Sequence, residues 1–80
     1  MKIFYFVGGP KAGRAEEFFQ HLHQIGGSPA GWRIYPHSSE DGKALHVVEA
    51  ESRQAILDHL QHFGDIYEYG EIIEIRNEAQ

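Results

Sequence analysis

The chain has 80 residues, no cysteine, and a net charge of −5 from 12 acidic and 7 basic side chains. A chain this short forms one domain and buries only about 60% of its unfolded surface. The lack of cysteine excludes disulfides, thiolate zinc sites and cysteine catalysis. Lys2, Lys11, Arg14, Arg33, Lys43, Arg53 and Arg76 are scattered, so the basic cluster that nucleic-acid binding needs is missing. No apolar run approaches the ~20 residues of a membrane span. The apolar start, Met1 to Val7, lacks the cleavage pattern of a signal peptide and reads as a strand. The expectation is a single domain over residues 1–76, a polar tail over 77–80, a cytoplasmic location, and no nucleic-acid or membrane partner.

The first strand is predicted over Lys2 to Val7, with Ile3, Tyr5 and Val7 on one face and Phe4 and Phe6 on the other. Gly8-Gly9-Pro10 reads as the turn that ends it, since no Gly-x-x-x-x-Gly-Lys pattern follows to make a phosphate loop. A helix is predicted from about Lys11 to Ile25, where Ala15, Phe18, Phe19, Leu22 and Ile25 form one stripe. Gly26-Gly27 stops it. His21 and His23 lie on opposite flanks of that stripe, about 160° apart, and cannot grip one metal together.

The second strand runs from Trp32 to about His37, and Pro36 points to an edge position or an early end. Ser38 to Lys43 reads as a hairpin loop, with Asp41-Gly42 as the turn signal. The third strand is Ala44 to Ala50. Ser52 is the N-cap of a second helix that reaches about Phe63 and stops at Gly64. The last strand spans roughly Ile66 to Arg76, with Tyr67, Tyr69, Ile73 and Ile75 alternating. Gly70 within it marks a bulge or the close approach of another chain, and Glu68, Glu71 and Glu74 suit an exposed edge. This order makes an α+β domain with a four-stranded antiparallel sheet and two helices on one face. Several strands carry large side chains on both faces, so the uncovered face is expected to meet a second copy of the chain.

Candidate site residues are histidines and aromatics. On the second helix His59 falls within the apolar face of Ala55, Ile56, Leu60 and Phe63, about 40° from Ala55 and Phe63. A histidine there needs partners for its ring nitrogens. It is either a structural histidine bonded to a carbonyl or tyrosine, or a pocket residue between helix and sheet that acts as a proton shuttle or an axial ligand. His59-x-x-His62 could bind a divalent metal given a third ligand, but the His-Glu-x-x-His pattern is absent, and no metal is expected. His46 on the third strand stands beside the small Ala44 and Val48. That leaves room for a ligand, or for a closely packed helix. The dense aromatics build core and interface, and Trp32 could also stack on a flat ligand. Tyr67 and Tyr69, two residues apart, suit a dimer surface.

From Met1 to about Arg76 the chain resembles the dimeric α+β barrel superfamily of ferredoxin-like domains, and within it a small bacterial family of uncharacterised proteins. The resembling segments are Ile3-Phe4-Tyr5-Phe6-Val7, Pro29-Ala30-Gly31-Trp32, Val48-Glu49-Ala50 with Ser52, and Phe63-Gly64-Asp65-Ile66. The resemblance implies a β-α-β-β-α-β fold and a sheet-to-sheet homodimer with the helices outside. Branches of this superfamily include cofactor-free monooxygenases, haem-degrading enzymes, muconolactone isomerases and stress-response barrels. The haem-degrading branch uses an Asn in its first strand, a Trp, and a His on the second helix. This chain has Trp32 and His59, but its first strand has no Asn. The third strand, Ala44 to Ala50, lacks the aromatic and basic residues of RNA-recognition domains. The expectation is therefore a homodimer that binds a small ligand or a protein without catalysis and without a cofactor. The alternative is a monooxygenase- or isomerase-type enzyme on a small aromatic or cyclic substrate, with His59 and His46 handling protons and Trp32 or Tyr5 contacting the substrate.

Overall fold

The computed structural model describes residues 1–36 and 43–76. The expected Asp41-Gly42 turn, His37 and the 77–80 tail lie outside the described residues. The elements are β1 (Lys2–Pro10), α1 (Ala15–Gln24), β2 (Trp32–Pro36), β3 (Ala44–Ala50), α2 (Arg53–Leu60), a 3-10 segment (Gln61–Ile66), β4 (Tyr67–Tyr69) and β5 (Ile73–Ile75). The fold is α+β, with all strand pairings antiparallel. The sheet runs β2-β3-β1-β4, and β5 also pairs with β1. Among the described residues it has five strands where the sequence suggests four, because the expected last strand is divided.

The division is a one-residue bulge. Tyr5 pairs with Ile73 and Gly8 with Tyr69, so Phe6 and Val7 stand opposite Gly70, Glu71 and Ile72. The Gly70 N–H donates to the Val7 carbonyl at 2.9 Å, and the Arg53 side chain donates to the Ile72 carbonyl at 3.1 Å. An extra residue reverses the side-chain alternation beyond it. Tyr67 and Tyr69 therefore do not share a face with Ile73 and Ile75. Tyr67 is buried in the core, so a pair of tyrosines on the free face is ruled out.

The start of α1 also differs from expectation, while its end at Gln24 with Ile25 as the cap is where Gly26-Gly27 indicates. Gly8-Gly9-Pro10 is not a turn; it continues β1, pairing with β4 as far as Pro10↔Tyr67. A Cβ at position 8 would lie 2.9 Å from the Tyr69 Cβ and 3.1 Å from the Glu68 carbonyl oxygen, so glycine is required by close approach. With Pro10 held in the sheet, the chain turns through Gly13 (φ 79°) and α1 begins only at Ala15. The Ser52 hydroxyl caps α2 by accepting from the Ala55 N–H at 3.3 Å, as the sequence predicts. Gly64 (φ 57°) breaks the 3-10 segment that follows.

The core joins Phe4, Phe6 and Val48 of the sheet to Ile56, Leu60, Phe63, Ile66, Tyr67 and Ile72. Both helices pack on this face. The register puts Ile3, Tyr5, Val7, Leu45, Val47, Ile73 and Ile75 together on the other face. Ile3, Val7 and Ile75 are exposed there.

Candidate functional site

The site begins with two small side chains. Gly8 and Ala44 are register partners on the helix-facing side of β1 and β3. Next to the Phe6↔His46 pair they line a hollow that the side chains of α1 do not fill, although Tyr69 and the Tyr67 hydroxyl crowd Gly8 itself. Helix α1 crosses this end of the sheet without burying one of its own residues. Its expected apolar stripe is only half-covered at Phe18 and Leu22, and Phe19 is 61% exposed. Between helix and sheet lies a cavity of about 380 Å³, with Gly8, Ala44, His46 and Trp32 below, Phe18, Phe19 and Leu22 above, and His59 and Tyr67 at the sides.

His46 is held by Phe6, Trp32, Gly8 and Tyr67. It is 5% exposed and stacks parallel on Phe6, with centroids 4.7 Å apart. The Trp32 indole N–H donates to His46 Nδ1 at 2.9 Å. Indole nitrogen is a donor only, so Nδ1 carries the lone pair and the proton of the neutral ring sits on Nε2. Nε2 lies 3.3 Å from the Gly8 carbonyl oxygen and 3.1 Å from Tyr67 Oη. Burial pushes the His46 pKa below its ordinary value, with the Gly8 carbonyl acting weakly the other way. Geometry points to the same state, because a proton on Nδ1 would confront the Trp32 N–H.

Tyr67 is 6% exposed and packs against both Phe18 and Phe63, at ring separations of 5.2 and 5.6 Å. Burial holds its phenol far above the ordinary range, so it stays protonated. His59 is half-buried, its ring 4.8 Å from Trp32 and 5.7 Å from Phe63. Burial, then the neighbouring His62, lowers its pKa. Its ring nitrogens have no hydrogen-bond partner among the described residues. His59 and His62 find no third ligand there either, and no group of three metal-ligating side chains converges among the described residues. At the cavity mouth the Lys43 ammonium is 2.6 Å from the Glu68 carboxylate.

The structure thus brings His46, Trp32 and His59 to one cavity. Tyr5 stands on the opposite face of the sheet, paired with Val47 and Ile73. Tyr67 and Gly8 join the site although the sequence pattern placed neither there. Gly70 was the available signal for Tyr67, since a bulge at that point turns Tyr67 inward. Chemically, the site is an apolar hollow with a fixed polar line at its base. His46 has both ring nitrogens engaged and cannot serve as a free base. No helix among the described residues is long and apolar enough to cross a membrane. Comparison with known proteins finds no matching family model, no matching curated protein and no matching solved structure.

Proposed function

We propose that this chain is a ferredoxin-like subunit of a homodimer of the dimeric α+β barrel type, and that it binds a small apolar ligand between α1 and the sheet without transforming it. The observation that carries the ligand reading is the unfilled hollow beneath α1. A pocket of a few hundred cubic ångströms with apolar walls and a few convergent polar groups is the usual form of a small-molecule site. The engagement of both His46 nitrogens supports binding over catalysis. Support for the dimer comes from the face opposite the helices, where seven apolar residues span β1, β3 and β5. Arg33 and Glu49 occupy positions of the same face by register, so that face carries both signs of charge that a self-complementary interface uses.

An enzyme is the second reading. It is favoured by His59, which borders the cavity, whose nitrogens have no partner among the described residues, and whose lowered pKa keeps the ring neutral near pH 7. A general base needs that state.

The test is a titration of ¹⁵N-labelled protein with naphthalene-sized apolar compounds, reading the Trp32 indole N–H. Saturable shifts in the wild type, lost when Ala44→Phe fills the hollow, are expected. An indole signal that does not move up to the solubility limit of the compounds contradicts the ligand reading. Sedimentation at micromolar concentration tests the dimer, and a monomer there contradicts it.

A further inference from the structure

We infer that the cavity selects a ligand with a neutral acceptor oxygen, such as a ketone, aldehyde or amide carbonyl, and that the Tyr67 hydroxyl is the group that reads it. The inference rests on the cavity being a ligand site, and adds the chemical class of what enters.

The line Trp32–His46–Tyr67 holds one proton more than it has acceptors for. Trp32 donates to Nδ1, which leaves the imidazole proton on Nε2. That proton is donated to Tyr67 Oη at 3.1 Å or to the Gly8 carbonyl at 3.3 Å. In either case Nε2 has no lone pair to offer, so the Tyr67 O–H cannot donate to His46. No other acceptor for it exists among the described residues. A phenol that is 6% exposed, beside the cavity, thus keeps an unspent donor. A buried donor without an acceptor is costly, and a ligand oxygen relieves that cost.

The surroundings set the charge of the acceptor. A carboxylate would need a cation, and the Lys43 ammonium already lies against Glu68. His46 cannot be protonated at Nδ1 while Trp32 donates to that atom. The aromatic and aliphatic walls suit the rest of the ligand.

The experiment uses a matched pair of probes, 2-acetylnaphthalene and 2-isopropenylnaphthalene, which differ by a carbonyl oxygen in place of a methylene. Affinities are measured by NMR titration for the wild type, Tyr67→Phe and Trp32→Phe. The wild type should prefer the ketone by about five- to tenfold, the usual worth of one neutral hydrogen bond. Tyr67→Phe should erase the preference while still binding the alkene, which shows that the pocket persists. Trp32→Phe frees Nδ1 to take the proton, so Tyr67 can donate to Nε2 and the preference should shrink with Tyr67 intact. A wild type that binds both probes equally overturns the inference and leaves the pocket reading standing. A preference that survives in Tyr67→Phe also overturns it. Binding of neither probe overturns both.

Discussion

The two helices rest on the same sheet face but do different jobs. Helix α2 is anchored: Ile56 and Leu60 are buried in the core, Ser52 caps its start, and Arg53 ties it to the bulge at Ile72. Helix α1 buries nothing fully, has no side-chain cap, and presents Phe19 to solvent. The contrast follows from what each helix finds below it. Under α2 the sheet offers Phe4 and Val48 to Ile56 and Leu60 in the core, and the hollow left beside them, at Trp32 and His59, is the smaller one, about 190 Å³. Under α1 it offers Gly8 and Ala44, which cannot fill the interface. Stability is therefore concentrated at α2, and the space for a ligand lies under α1.

Substitutions can break this comparison, and the largest effect should come from α2. Ile56→Ala enlarges the void in the better-packed half and should destabilise by roughly 2–5 kcal/mol, read from the urea midpoint. Gly8→Ala strikes the floor of the loose half. The added methyl collides with the β4 backbone and Tyr69, for a loss of about 1–3 kcal/mol by the same measurement, together with displaced Tyr67 resonances. Ser52→Ala removes the cap of α2 and should cost about 1 kcal/mol. Phe19→Ala on α1 should change stability by no more than ~0.5 kcal/mol, as for an ordinary exposed position, while altering the affinity of a probe in the cavity. If Phe19→Ala destabilises as much as Ile56→Ala, the two helices are equally packed and the comparison collapses.

Much of the scaffold could be read from local pattern. Alternation placed Phe4 and Phe6 on the opposite face to Ile3, Tyr5 and Val7, and the Ser52 cap and the β3 limits are found where the residues indicate. The site was less legible because it depends on register, which is a relation between distant segments. His46 faces the helices because β1 and β3 pair Phe6 with His46, and the strand alone does not say so. The hollow exists because the same register sets Gly8 against Ala44. Gly8-Gly9-Pro10 looks like a turn until β4 pairs with it. Tyr67 was hidden by one extra residue: alternation carried through Gly70 assigns it to the free face, and the bulge turns it toward His46. His59 was legible, since its place on the α2 face is set by helical spacing alone.

The most direct measurement is a crystal structure of the protein grown with 2-acetylnaphthalene. The probe should lie beneath α1, its rings among Phe18, Leu22 and Trp32 and its oxygen within hydrogen-bond distance of Tyr67 Oη. A structure in which α1 has settled onto Gly8 and Ala44, with the hollow filled by its own side chains and the probe elsewhere, would contradict this.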